Sequence, residues 1–243
     1  MHKIILGIAT ALVLFLGAGT VKASLTTIGT ATYNGDTYNL IYDDDAPMGP
    51  IVWLDYTNYG THSDNQKNWA AGIDSDITSY NFNTGYSITW TEPAWRLPAT
   101  VDGTYVYGYE GDPDHDGTYT YTGGYNLANS EMGHLFYTEL GNLGYVAIDG
   151  TSPQQGWGLT NTGDFSHLVA GWYWSGTDYT AMPPDSWIFN MGNGNQGYAS
   201  SWSQLSGIAV RGAQVTPVPI PGAVWLLGSG LLGLAAAKRR KWN

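Results

Sequence analysis

Asp112-Pro113-Asp114-His115-Asp116-Gly117 sets three carboxylates at alternate positions ahead of a glycine. Calcium takes six to eight oxygens, and a turning loop with carboxylates at i, i+2 and i+4 can offer three of them to one ion. Asp112, Asp114 and Asp116 are therefore candidate calcium ligands, and Gly117 can supply the sharp turn. An EF-hand needs glutamate at loop position 12, where this chain has Gly123, so the loop is not an EF-hand. The same residues also suit a solvated acidic turn. Asp43-Asp44-Asp45 is a weaker ion site, because consecutive side chains do not converge easily.

A second group is aromatic. Trp172, Trp174, Trp187 and Trp202 crowd the last third of the chain with Tyr173, Tyr179 and Tyr198, and Asn190, Asn193, Asn195 and Gln196 lie close in sequence. Flat rings stack on sugar faces while amides and carboxylates take hydroxyls, so these tryptophans are candidate carbohydrate contacts. In an alternating strand one ring of each pair faces inward, and most tryptophans are expected in the core. Arg96 and Arg211 are the only arginines between residues 24 and 216. A planar guanidinium can tie strands together through carboxylates or carbonyls, and that structural role is expected of both.

Catalytic constellations are missing from the sequence. Glu131 and His134 form one E-x-x-H, whereas a di-iron bundle needs two and further glutamates. There is no H-E-x-x-H and no G-x-S-x-G, and the absence of cysteine removes thiolate chemistry and disulfides. No enzyme activity is expected.

These residues need a scaffold. The 243-residue chain is 14% aromatic and 12% charged, which suits one folded domain, at most two, and excludes disorder. Residues 24–216 hold three cations, Lys67, Arg96 and Arg211, against twenty carboxylates, a net of −17. Such a body repels phosphate backbones, so no nucleic-acid partner is expected. Asn34-Gly35-Asp36 between Leu25–Tyr33 and Thr37–Tyr42 predicts a hairpin. Further strands are expected at Ile51–Leu54, Tyr86–Trp90, Thr104–Tyr109, Tyr145–Ile148, Gly171–Trp174, Trp187–Met191 and Ile208–Arg211. One helix is expected over about 65–71, capped by Asp64. A second follows Asn129 or Ser130, with Met132, Leu135, Phe136 and Leu140 on one stripe and Gly141 at its end. The fold class is α+β: a β-rich single domain with two short helices and long loops.

Both ends read as targeting segments. His2-Lys3, the apolar run from Ile4 to Gly19 and Val21-Lys22-Ala23 predict a signal peptide over 1–23, cut by signal peptidase after Ala23. The tail, 217–243, combines a proline-rich hinge, an apolar helix over 222–237 and Lys238-Arg239-Arg240-Lys241. The prolines are expected to stop the sheet, and the basic end to hold the helix transiently in the inner membrane.

Val218-Pro219-Ile220-Pro221, the apolar run from Val224 to Leu234 and Arg239-Arg240 resemble a PEP-CTERM sorting signal of the V-P-x-P type. The resemblance implies recognition by an exosortase-type membrane protease and delivery to the cell surface or extracellular matrix. The body carries Val52-Trp53-Leu54-Asp55, Trp69-Ala70, Trp95-Arg96-Leu97-Pro98, Tyr173-Trp174-Ser175-Gly176-Thr177, Trp187-Ile188-Phe189-Asn190 and Ala209-Val210-Arg211 in order. Over about 50–213 this is similar to the C-terminal domain family of collagen-like bacterial adhesins. Trp-Arg-Leu-Pro also resembles formylglycine-generating-enzyme-like domains, which implies a fold related to C-type lectins. The adhesin ligands are sulfated polysaccharides, and a body of this charge has no basic patch for them. The expected protein is an exported, surface- or biofilm-matrix-associated binding or structural domain with a carbohydrate ligand. A secreted carbohydrate-active hydrolase and a coat protein without a discrete ligand are the alternatives.

Overall fold

The computed structural model describes residues 25–112 and 116–218. The expected signal peptide, the apolar tail with Pro219, Pro221, Arg239 and Arg240, and the candidate ligand Asp114 lie outside the described residues. Among the described residues no helix is long and apolar enough to cross a membrane.

The hairpin forms where expected. Strands β1 (Thr26–Tyr33) and β2 (Asp36–Asp43) pair antiparallel, and Asn34 and Gly35 take φ of 52° and 87°. Two consecutive positive φ values make the tight turn whose twist matches the strands. β3 (Ile51–Thr61) is longer than its apolar start suggested, because its second half stays paired with Leu205 and Gly207. β4 (Ile77–Phe82) pairs with β1, and β5 (Tyr86–Trp90) follows. Only β6 (Tyr107–Gly108) forms within the strand expected over Thr104–Tyr109; it pairs with β7 (Gly123–Gly124). Glycine is required at this pairing: a Cβ on Gly108 would lie 2.0 Å from the Tyr121 ring, and one on Gly123 2.0 Å from the Tyr105 ring. Tyr145–Ile148 is turn and bend rather than strand, and Ile148 is exposed. The remaining strands are β8 (Trp172–Asp178), β9 (Ser186–Asn190), β10 (Gln196–Ala199) and β11 (Leu205–Pro217).

Ten of these strands run in one sheet in the order β4-β1-β2-β3-β11-β8-β9-β10-β7-β6, with β5 attached to β11. β11 is the seam. It pairs antiparallel with β3 and β5, touches β8 in parallel at Ser206, and exchanges both backbone hydrogen bonds between Val210 and Arg96. It extends to Pro217 opposite Tyr86, so the first proline of the expected hinge still belongs to the sheet. Pro217 lacks an N–H but sits at the strand's end, where the missing donor leaves no gap in the ladder.

Both sheet faces are buried. Leu40, Val52, Leu54 and Ala209 pack with Ala70 and Ile73 of helix α1 (Ser63–Asp76) on one face. Ile41, Trp53, Ile208 and Val210 pack with Met132, Leu135 and Phe136 on the other. Side chains alternate across a strand, so a strand covered on both faces must be apolar at consecutive positions, as Ile51-Val52-Trp53-Leu54 is. α1 begins two residues earlier than expected and runs on to Asp76: His62 is its N-cap, without a side-chain capping bond, and Asp64 sits in the first turn.

Helix α2 (Glu131–His134) is capped by Ser130, whose hydroxyl accepts from the Gly133 N–H at 3.0 Å. It continues as a π-helical turn, Leu135–Glu139, with the Leu140 N–H donating to the Leu135 carbonyl at 2.9 Å. Gly133 lets α2 lie against the preceding loop: a Cβ there would stand 2.0 Å from the Leu127 carbonyl oxygen. Gly72 of α1 is the contrast, with nothing within 4 Å of an added Cβ. Gly133→Ala is expected to lower stability by about 3 kcal/mol or more, since backbone must move. Gly72→Ala is expected to raise it by about 0.5–1 kcal/mol. Chemical-denaturation midpoints of the two variants check both signs.

Candidate functional site

The two arginines of the body are spent on structure. Arg96 grips Glu131 with two parallel bonds, Nη1 to Oε2 at 2.7 Å and Nη2 to Oε1 at 2.8 Å, and reaches Glu92 through Nε at 2.9 Å. Glu131 is fully buried and also accepts from the Ala99 N–H at 2.6 Å. Burial alone would lower the Arg96 pKa; the hydrogen bonds and charge of Glu131, then those of Glu92, outweigh it and raise it. Arg211 holds both oxygens of Asp74 through Nη1, donates to the carbonyls of Glu92 and Pro93, and lies 4.6 Å from the Trp90 ring centre. Trp95 and Leu97, from the same Trp-Arg-Leu-Pro segment, are buried in the core, and the Pro98 carbonyl accepts from Ser175 and from the Gly176 N–H.

The four tryptophans separate sharply. Trp174 and Trp187 are fully buried, and their indole N–H groups are taken by the Thr61 carbonyl and Asp102. Neither offers a face to a ligand, which corrects the expectation that placed them among the sugar contacts. β8 and β9 are covered on both faces, so consecutive residues there are buried whichever way they point. Trp172 is half-buried against the α1-side core. Trp202 is 72% exposed. It makes a T-shaped contact with His62, at 5.7 Å between ring centres, just before α1.

Beside it runs a groove of about 360 Å³ lined by Asp64, Asp178, Tyr179, Thr180, Asp185 and Ser201, with Pro183 and Pro184. Its floor is fixed from several elements. Ser63 bonds the Ser201 carbonyl through its N–H and Ser186 through its hydroxyl, and Ser186 donates to Asp178 at 3.1 Å. Lys67 of α1 pairs with Asp178. Asp102 receives the Thr180 hydroxyl and the Trp187 indole, and these bonds hold its pKa below the ordinary carboxylate value. Trp157, also exposed, stands elsewhere against Tyr145.

At the acidic loop, Asp112 accepts from the N–H groups of Asp116 and Gly117, at 3.3 and 2.8 Å, and Asp116 accepts from the Thr118 N–H. Both oxygens of Asp112 therefore close a turn on the chain's own backbone, the arrangement of a solvated acidic turn.

A different acidic group does converge. Asp43, Asp45, His134 and Glu139 each place one ligand-type atom within 4.8 Å of all the others. His134 Nε2 lies 3.2 Å from Asp45 Oδ1, 3.5 Å from Glu139 Oε1 and 3.7 Å from Asp43 Oδ1. Asp43 is fully buried, and its other oxygen accepts from the Trp53 indole at 3.2 Å. Asp43 Oδ1 and Glu139 Oε1 are buried without a hydrogen-bond partner. Burial pushes the Asp43 carboxyl up to about 7 against the Trp53 bond, and the charge of Asp45 adds to it. Burial also raises Glu139, reinforced by Asp43 and Asp45. The π turn makes this meeting possible. Its i→i+5 repeat stacks Glu139 over His134, where an α-helix would turn the two apart. The Asp43–Asp45 run was visible in the sequence, but its partners from α2 were not: Glu131-x-x-His134 drew attention to the wrong glutamate.

No protein-family model, curated protein or solved structure matches this chain.

Arg96→Met is expected to destabilise by about 3–5 kcal/mol, because Glu131 would remain buried and unpaired. Combining it with Glu131→Gln is expected to recover part of that loss. A double-mutant cycle by urea denaturation measures the coupling; additive losses would mean the pair contributes nothing jointly.

Proposed function

We propose that this chain is an exported, surface- or matrix-associated binding protein whose ligand is a neutral or amino-bearing polysaccharide, taken in the groove at the start of α1. The observation that carries this reading is Trp202, a largely exposed indole whose chain neighbour Ser201 lines a groove with Asp64, Asp178, Asp185, Thr180 and Tyr179. An apolar ring face beside hydroxyls and carboxylates suits a sugar, which has an apolar face and a rim of hydroxyl donors. Three carboxylates along the groove repel sulfate and attract amino groups. The ligand class of the adhesin-like motifs thus shifts from sulfated to uncharged or cationic glycans. The lectin-related fold implied by Trp95-Arg96-Leu97-Pro98 and the export route implied by the two ends belong to the same proposal. In it, signal peptidase and an exosortase-type protease process the chain on its way to the surface.

A glycan array carrying neutral, amino-bearing and sulfated oligosaccharides tests the reading on wild-type protein and Trp202→Ala. The expected result is binding to neutral or amino glycans, at least tenfold weaker in the variant, with folding unchanged because Trp202 lies outside the core. Preference for sulfated glycans, or equal binding by the variant, would reject it.

A further inference from the structure

Buried carboxylates need partners, and this protein supplies them unevenly. Glu131 has Arg96 and the Ala99 N–H. Asp55, buried on β3, accepts from the Ser166 and His167 N–H groups at 2.9 Å each and from the His167 ring. Asp43 and Glu139 differ. Each keeps one oxygen with no donor, both of these oxygens lie in the same small cluster, and among the described residues the basic group there is the nine-tenths-buried His134. A buried unpaired carboxylate oxygen is strongly unfavourable, and two sharing one pocket are worse. Among the described residues no lysine or arginine pairs with them, so only protons held within the cluster can offset them.

We propose that Asp43, Asp45, His134 and Glu139 bind one divalent first-row transition ion of the zinc type. Oxygen and nitrogen ligands at the usual 2.0–2.2 Å from a tetrahedral ion stand about 3.4 Å from one another. The 3.2, 3.5 and 3.7 Å separations from His134 Nε2 bracket that value. Four ligands including an imidazole favour zinc-type ions over calcium, which takes six to eight oxygens, and over magnesium, which keeps its waters. Three carboxylates and a neutral imidazole carry −3, and the ion reduces this to −1. Trp53, donating to the second oxygen of Asp43, fixes the orientation of that ligand. The site joins the end of β2 to the π turn, so the ion would also clamp α2 to the sheet.

The test uses the full-length chain stripped with a chelator and titrated with zinc chloride. Equilibrium dialysis should show one tightly bound equivalent and melting curves a rise on loading. Glu139→Gln and His134→Ala should each weaken binding at least tenfold, whereas Asp112→Asn in the other acidic loop should not. Asp43→Asn separates binding from folding: without metal it should melt at or above the wild-type temperature, because the orphan charge is gone, yet it should lose the rise on zinc addition. Wild-type protein that binds no stoichiometric zinc, binding unchanged in Glu139→Gln, or displacement of zinc by equimolar calcium would each overturn the proposal. A metal-free Asp43→Asn variant less stable than wild type would do the same, since it would show the cluster to be satisfied by shared protons.

Discussion

Arg96 and Arg211 converge on one residue, Glu92, and the rest of the architecture is arranged around that junction. Glu92 accepts Arg96 Nε on one carboxylate oxygen and the Gly212 N–H on the other, while its backbone carbonyl accepts from Arg211. From there Arg96 reaches across to Glu131 at the start of α2, and Arg211 reaches to Asp74 near the end of α1. The two helices lie on opposite faces of the sheet, and β11 runs between them. Each guanidinium thus fastens one helix to the seam strand. A planar five-donor group is suited to this, since each guanidinium serves four acceptors, more than the three donors of a lysine ammonium. With three cations against twenty carboxylates, no arginine is left over.

That shortage shapes the functional surface. The groove at the start of α1 is lined by Asp64, Asp178 and Asp185 and by no cation, and nearby Lys67 is committed to Asp178, so in the proposed reading its acidic rim disfavours anionic ligands. On the α2 side, no described arginine or lysine pairs with Asp43 or Glu139; the basic group beside them is His134, and the geometry of the four side chains suits an ion from outside. Stability and binding would then be linked, as anything bound only by the folded state raises its stability.

Much of the frame was legible from sequence. The Asn34-Gly35 hairpin, the apolar run of β3, the Ser130 cap and the Met132-Leu135-Phe136-Leu140 stripe all rest on local rules, and each forms. β4 carried its own signal in Tyr80-Asn81-Phe82, an alternation obscured by the polar residues around it. Tyr145–Ile148 has strand composition but no partner edge, and pairing is a non-local property that composition cannot supply. The same limit applies to the site. Asp43 and Glu139 are 96 positions apart in sequence, and only the sheet order and a π turn bring them together. The burial of Trp174 and Trp187 follows from both faces of β8 and β9 being covered, whereas the exposure of Trp202 follows from its place in the turn before β11.

The central claim is that this cation-poor body recruits a metal ion to balance the carboxylates it buries. Anomalous diffraction from a crystal grown with zinc, recorded on both sides of the zinc edge, addresses it most directly. A single strong anomalous peak about 2.0–2.2 Å from Asp43, Asp45, His134 and Glu139 is the predicted result. Absence of a peak there, with the orphan oxygens of Asp43 and Glu139 drawn to within hydrogen-bond distance of each other or of His134, would contradict it.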